Sequence, residues 1–156
     1  GGIIAAKFIS FFEGDLKIIP AMAAFIPIIG STCGNVGIQT SSLMLQSLAD
    51  KSGLDIGIGK RLLRMLAIAL INGFIIAAIV FGFNLLIGND IHLAVVVSVA
   101  LISVVFLASF MGTLTPIVLE KIGINPAVAS GPFITTANDL IGYGVYFALA
   151  HLLLNL

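Results

Sequence analysis

Four stretches of this chain run without interruption by charge, or with a single charge, for long enough to cross a bilayer, and that feature leaves few folds open. They are 18–49, 65–87, 93–119 and the segment from Asn125 to the C-terminus, whose one acid is Asp139. A helix of roughly 20 apolar residues spans the hydrocarbon core. A soluble domain carries about a quarter charged residues, whereas this chain has 9% charged and 60% apolar residues and a mean hydropathy of +1.22. The fold class expected is an all-α membrane protein, a bundle of about five transmembrane helices in one domain covering 1–156.

The charges punctuate the helices. Glu13, Asp15 and Lys17 close a first apolar piece, 3–12, which is too short to span and is expected to be the tail of a helix truncated at its start. The remaining helices are expected at about 18–49, 61–87, 92–119 and 126–155. The loop 50–64 holds Lys51, Lys60, Arg61 and Arg64, four of the seven basic residues, and Lys121 lies in the loop 120–126. The positive-inside rule places both loops in the cytoplasm and the C-terminus outside, as in a multi-pass plasma-membrane protein. Lys7 is expected to snorkel to an interface. Zero net charge gives no basic surface for nucleic acid. The single cysteine, Cys33, excludes an intrachain disulfide and a multi-thiolate zinc site. The chain opens without a basic n-region or cleavage site, so no signal peptide is expected.

Asp139 is the most informative residue. An intramembrane carboxylate costs roughly 2.5–3.5 kcal/mol on insertion scales. If the helix starts at Pro126, Asp139 lies about 20 Å along it, too deep to snorkel. Thr135, Thr136 and Gly142 share its helical face, a small polar surface suited to a wet cation path. The alternative is a protonated clasp to Asn138, Tyr143 or a neighbouring helix. A second constellation lies in 27–46, where Ser31, Asn35, Gln39, Ser42 and Gln46 recur at steps of four, four, three and four and form one polar stripe. Gly30 and Gly34 form a G-x-x-x-G that permits close helix approach. Both 27–46 and 126–146 combine proline, glycine and hydroxyl or amide groups, the composition of interrupted helices at transporter sites.

This donor set is all oxygen, which suits a hard cation. One carboxylate per chain is meagre for dehydrating Mg²⁺, which is commonly held through its waters. Two symmetry-related Asp139 carboxylates would neutralise its charge, so a homodimer is attractive. Enzyme chemistry is not expected: no second acid lies deep in an apolar run, and neither H-E-x-x-H nor G-x-S-x-G occurs. Asp90 and His92 read as a solvated turn. Lys60 to Arg64 reads as an interfacial anchor, with anionic-lipid contact as the other reading.

Gly34-Asn35-Val36-Gly37-Ile38-Gln39-Thr40-Ser41, after Pro27-Ile28-Ile29-Gly30, resembles the second membrane helix of the MgtE-type magnesium transporters. Asn125-Pro126-Ala127, Ser130-Gly131-Pro132, Thr135-Thr136-Ala137-Asn138-Asp139 and Gly142 resemble their fifth. The likeness spans nearly the whole chain. It implies a homodimeric, Mg²⁺-selective, channel-like pore on the dimer axis, with a largely hydrated Mg²⁺ held by Asp139 from both subunits. Asn35 and the carbonyl of Thr135 would position its water shell. The path is expected to be lined by Gly30, Gly34, Gln39 and Ser42, and by Pro132, Thr136 and Gly142. The cytosolic domains usual in the family, including paired CBS domains, are absent from this sequence. Cys33 and Ile38 stand where the family often has glycine and asparagine, a departure that bears on selectivity.

Two other readings remain at this stage. One is a secondary transporter with Asp139 as its proton or ion site. The other is a non-transporting assembly subunit whose polar stripes only join helices.

Overall fold

The computed structural model describes residues 1–49, 57–129 and 131–155. Asp50 and Lys51 of the basic loop, and Ser130 of the second motif, lie outside the described residues. The described secondary structure is helical: α1 (Gly2–Ser10), α2 (Glu13–Ile18), α3 (Ile26–Ala49), α4 (Ile58–Leu86), α5 (Ile91–Lys121) and α6 (Pro132–Leu154). Single 3₁₀ segments, Pro20–Phe25 and Pro126–Ala129, lead into α3 and precede α6. The protein is an all-α membrane bundle. Four stretches have the length and apolarity to cross a bilayer: Pro20–Ala49, Gly59–Leu86, Ile91–Lys121 and Pro132–Leu154. The short first helix of the sequence reading is α1, whose nine residues reach about 14 Å.

Helix ends follow from local chemistry. α4 and α5 both finish on a glycine in the left-handed region, Gly88 at φ 77° and Gly123 at φ 78°. In each, two backbone bonds close a Schellman motif: Gly88 N to Leu85 O and Asn89 N to Asn84 O, then Gly123 N to Glu120 O and Ile124 N to Leu119 O. The Asn84 side chain is buried and doubles the first closure. Its Nδ2 donates to Val80 O at 3.0 Å, and its Oδ1 accepts from Asn89 Nδ2 at 2.9 Å. Asp90 caps α5 by accepting from His92 N at 3.2 Å. His92 Nδ1 also lies 3.0 Å from Asp90 Oδ2, so this pair is a helix cap.

α5 is the central helix. Its Ala94, Val97, Ala100, Leu101, Val104 and Ala108 are buried, and α3, α4 and α6 all pack on it. α3 and α6 also pack on each other, while α4 lies outermost with Phe74, Ile75, Ile79 and Phe83 exposed. These residues form the apolar face that a membrane helix presents to lipid. At one end of the bundle, Arg61 Nη1 near the start of α4 donates to Ser47 O near the end of α3 at 3.3 Å. At the other end, His151 Nε2 of α6 sits 2.9 Å from Asp15 Oδ2 of α2.

Two boundaries differ from the sequence reading. The charged stretch Glu13–Lys17 that closes the first apolar piece is itself helical, α2, and within it Glu13 and Lys17 pair at helical spacing, 3.3 Å apart. The last membrane helix starts at Pro132 and not at Pro126. Gly131 adopts φ 78°, and Pro132 has no N–H to continue a helix through it. Asp139 therefore lies about 10 Å from the start of α6, not about 20 Å from a helix start at Pro126. Its depth is set by its neighbour instead: it packs against Gly34, which lies at the middle of the 20–49 stretch.

Candidate functional site

The seam between α3 and α6 is built on missing side chains. A β-carbon placed on Gly34 would stand 2.6 Å from Asp139 Oδ1 and 3.0 Å from Thr135 Cγ2. One on Gly30 would run into the Tyr143 hydroxyl, and one on Gly37 into the Asn138 amide. From the other side, a β-carbon on Gly142 would meet Cys33 Cβ at 3.1 Å and Sγ at 3.2 Å. Small residues of this kind let helix backbones approach closely in a membrane. Gly30, Gly34 and Gly142 are thus buried in the α3–α6 contact, and their shape places Asp139 against the centre of α3.

Asp139 is half-buried, and its Oδ1 is enclosed without a hydrogen-bond partner among the described residues. Thr135 does not supply one, because its hydroxyl donates to Gly131 O at 2.9 Å. Asn138, 2% exposed, also leaves its Nδ2 without a hydrogen-bond partner among the described residues. An enclosed carboxylate oxygen with no protein donor is rare in folded proteins and is costly to leave unsatisfied. Water, a cation or a proton would satisfy it. Among the described residues there is no group of three His, Cys, Asp or Glu side chains that could hold a metal ion.

The polar stripe of α3 lies on a different face. Ser31, Asn35, Gln39, Ser42 and Gln46 are all exposed, whereas Ile29, Cys33, Thr40, Ser41 and Met44 between them are buried. The sequence spacing thus gave the stripe correctly. Part of the stripe, Asn35 and Gln39, borders α4 across an open cleft. The exposed amides Asn35, Gln39 and Gln46 are unfavourable against lipid.

Thr32, Asn35 and Gln39 share an open cleft of about 270 Å³ with Asn72 of α4. The sequence reading passed over Asn72. Its signal was an amide at the midpoint of α4, within an uncharged run, in a place where an amide facing lipid is unfavourable. The structure therefore brings Gly34, Thr135 and Asp139 together in the seam, and gathers Asn35, Gln39 and Asn72 in the adjoining cleft. Pro132 is exposed at the start of α6, Thr136 is half-buried, and Ser42 continues the stripe towards the end of α3.

Comparison with known proteins places these features in context. A family model described as a divalent cation transporter, MgtE, matches residues 26–149. The magnesium transporter MgtE of Bacillus subtilis is 30% identical over 149 residues, 96% of this chain and 33% of the relative. That of Thermus thermophilus is 30% identical over 154 residues, 98% of this chain and 34% of the relative. That of Enterococcus faecalis is 32% identical over 149 residues, with 96% and 33% covered. The chain spans about a third of the length of these relatives. The matched region covers all four candidate membrane stretches in whole or in part, with both the Asp139 seam and the polar stripe inside it, and the chain belongs to the MgtE family of divalent cation transporters.

Proposed function

We propose that two copies of this chain form a water-filled path for Mg²⁺ on their two-fold axis. The single observation that carries this reading is the exposed polar stripe of α3 beside an enclosed carboxylate oxygen that has no hydrogen-bond partner among the described residues. In the dimer the two stripes face the axis and are hydrated. Asp139 from each subunit then flanks one Mg²⁺, and the two charges balance the ion.

Mg²⁺ gives up its waters reluctantly, so the carboxylates act on the hydrated ion through its inner-shell waters. Asn35 and the carbonyl of Thr135 orient that shell, while Gln39, Ser42 and Thr136 extend the wet surface and Pro132 marks its entrance from α6. Gly30, Gly34 and Gly142 act by letting α3 and α6 approach until Asp139 lies at mid-depth. The relatives named above are magnesium transporters, which supports Mg²⁺ as the cargo.

Entry is passive and driven by the membrane potential. A divalent ion gains roughly 4.6 kcal/mol per 100 mV. The orientation follows the positive-inside rule, with the Lys60–Arg64 end of the bundle in the cytoplasm and the Asp15–His151 end outside.

A carboxylate with an unpartnered oxygen also suits a proton-coupled carrier, so the test must separate the two. Purified chain in proteoliposomes is given Mg²⁺ outside, under an imposed inside-negative potential or an imposed pH gradient. The pore predicts uptake that grows with the potential and ignores the pH gradient. Uptake that needs the pH gradient at zero potential assigns the carrier instead.

A further inference from the structure

The chain has two tyrosines, and both lie on α6. Their environments differ. Tyr146 is fully buried, and its hydroxyl donates to Met22 O at 3.1 Å. It is a core residue with its polar end satisfied. Tyr143 is half-buried, and its hydroxyl makes no hydrogen bond among the described residues.

Tyr143 lies one turn beyond Asp139 on the same face of α6, and Thr135 lies one turn before it. The glycines of α3 match this spacing. Asp139 and Thr135 rest on Gly34, and Tyr143 rests on Gly30, one turn away. A β-carbon on Gly30 would stand 2.7 Å from Tyr143 Cζ. Thr135, Asp139 and Tyr143 thus form one row along the seam, each step of four residues rising about 6 Å. Because α6 runs from Pro132 to Leu154 and its His151 meets Asp15, Tyr143 stands on the Asp15–His151 side of Asp139.

The ring is held in place. It packs against the buried core that contains Ile29, Cys33 and Tyr146, so the hydroxyl is presented at a defined position in the seam. A hydroxyl at this depth is costly to leave without a partner. Asp139 Oδ1 does not take its hydrogen bond, since that oxygen has no partner among the described residues. Two polar groups one turn apart, both short of a partner, match a ligand that brings its own hydrogen-bond donors. A hydrated cation does so: its inner-shell waters point their protons outward, and carboxylate and phenol oxygens both accept them.

We infer that Tyr143 is a further residue of the ion path, accepting a hydrogen bond from the water shell of the cation on the outer side of Asp139. The inference rests on the Mg²⁺ path proposed above. Asp139 supplies the charge that holds the ion. Tyr143 supplies a neutral acceptor that orients the retained waters, which suits an ion that dehydrates reluctantly.

Two measurements test the contact. Protein labelled with fluorotyrosine has one fluorine signal for each of its two tyrosines, and Tyr143→Phe removes one and so assigns it. On titration with Mg²⁺ the Tyr143 signal should shift while that of Tyr146 stays fixed, and Asp139→Asn should abolish the shift. In proteoliposomes, Tyr143→Phe should raise the half-saturating Mg²⁺ concentration about three- to tenfold, the range of one hydrogen bond, with the maximal rate changed by less than about twofold. The variant keeps the ring that packs on the core, so its thermal midpoint should match wild type.

A Tyr143 signal that stays fixed at Mg²⁺ concentrations that saturate uptake would overturn the inference. So would a lowered midpoint in Tyr143→Phe with unchanged half-saturation, which would assign the hydroxyl to packing. Either result leaves the Asp139 path standing. Uptake by Asp139→Asn equal to wild type would instead remove the ion site, and this inference with it.

Discussion

Gly34 lies so close beneath Asp139 that a β-carbon added to it would stand 2.6 Å from the carboxylate Oδ1. The atom it meets is the tip of a short side chain, so the contact is relieved by moving the carboxylate rather than the helix. Gly34→Ala also gains up to about 1 kcal/mol of helix propensity, which offsets much of the overpacking. The expected outcome is a thermal midpoint within a few degrees of wild type, with Mg²⁺ uptake reduced about tenfold. Uptake equal to wild type would show that the position of Asp139 does not matter.

Gly37→Ala should behave in the opposite way. Its β-carbon would run into the Asn138 amide and stand 3.3 Å from Ile134 Cγ2. On its other side, the Gly37 carbonyl is packed beneath Gly112, where an added β-carbon would come within 2.5 Å of it. Asn138 is buried and cannot swing into solvent. Overpacking between α3 and α6 costs about 1–3 kcal/mol. Thermal denaturation in detergent should show a clear fall in the midpoint, and an unchanged midpoint would contradict the packing described.

The α3 stripe separates hydration from adhesion. Asn35→Leu, Gln39→Leu and Asn72→Leu each replace an exposed amide by an apolar group of similar size. A wet path predicts folded protein of unchanged oligomeric state, with uptake lowered several-fold by each substitution. If the amides were glue between subunits, the same substitutions would dissociate the oligomer on size-exclusion chromatography. Asn72→Leu has the further use of testing whether α4 contributes to the wall, which its place in the cleft with Asn35 and Gln39 implies.

Much of this architecture could be read from the sequence because lipid imposes a simple rule on composition. The uncharged runs located the four long helices, and the four-residue steps from Ser31 to Gln46 located the polar face of α3. Other features depend on contacts that composition does not encode. The segment at 13–18 reads as charge punctuation, and its helix, with the Glu13–Lys17 pair, emerges only in the structure. The break at Gly131–Pro132 was hidden by the earlier Pro126, since either proline could open a helix. Asp139 was found by its charge alone, but its apposition to Gly34 and the role of Gly30 and Gly142 as spacers required knowing which faces of α3 and α6 meet. Asn72 was missed because one amide has no periodicity, and it gains meaning only when α4 is placed beside the stripe.

The central claim is that the Asp139 carboxylate holds the transported ion, and one comparison tests it most directly. Wild type and Asp139→Asn are reconstituted side by side, and Mg²⁺ uptake is measured under the same inside-negative potential. The substitution keeps the size of the side chain and removes its charge, and removing a half-buried charge whose Oδ1 lacks a hydrogen bond should leave stability unchanged or raised. The account predicts a folded oligomer of wild-type size whose uptake falls to the background of empty liposomes. Equal uptake by the two proteins would contradict it and would move the ion path away from the α3–α6 seam.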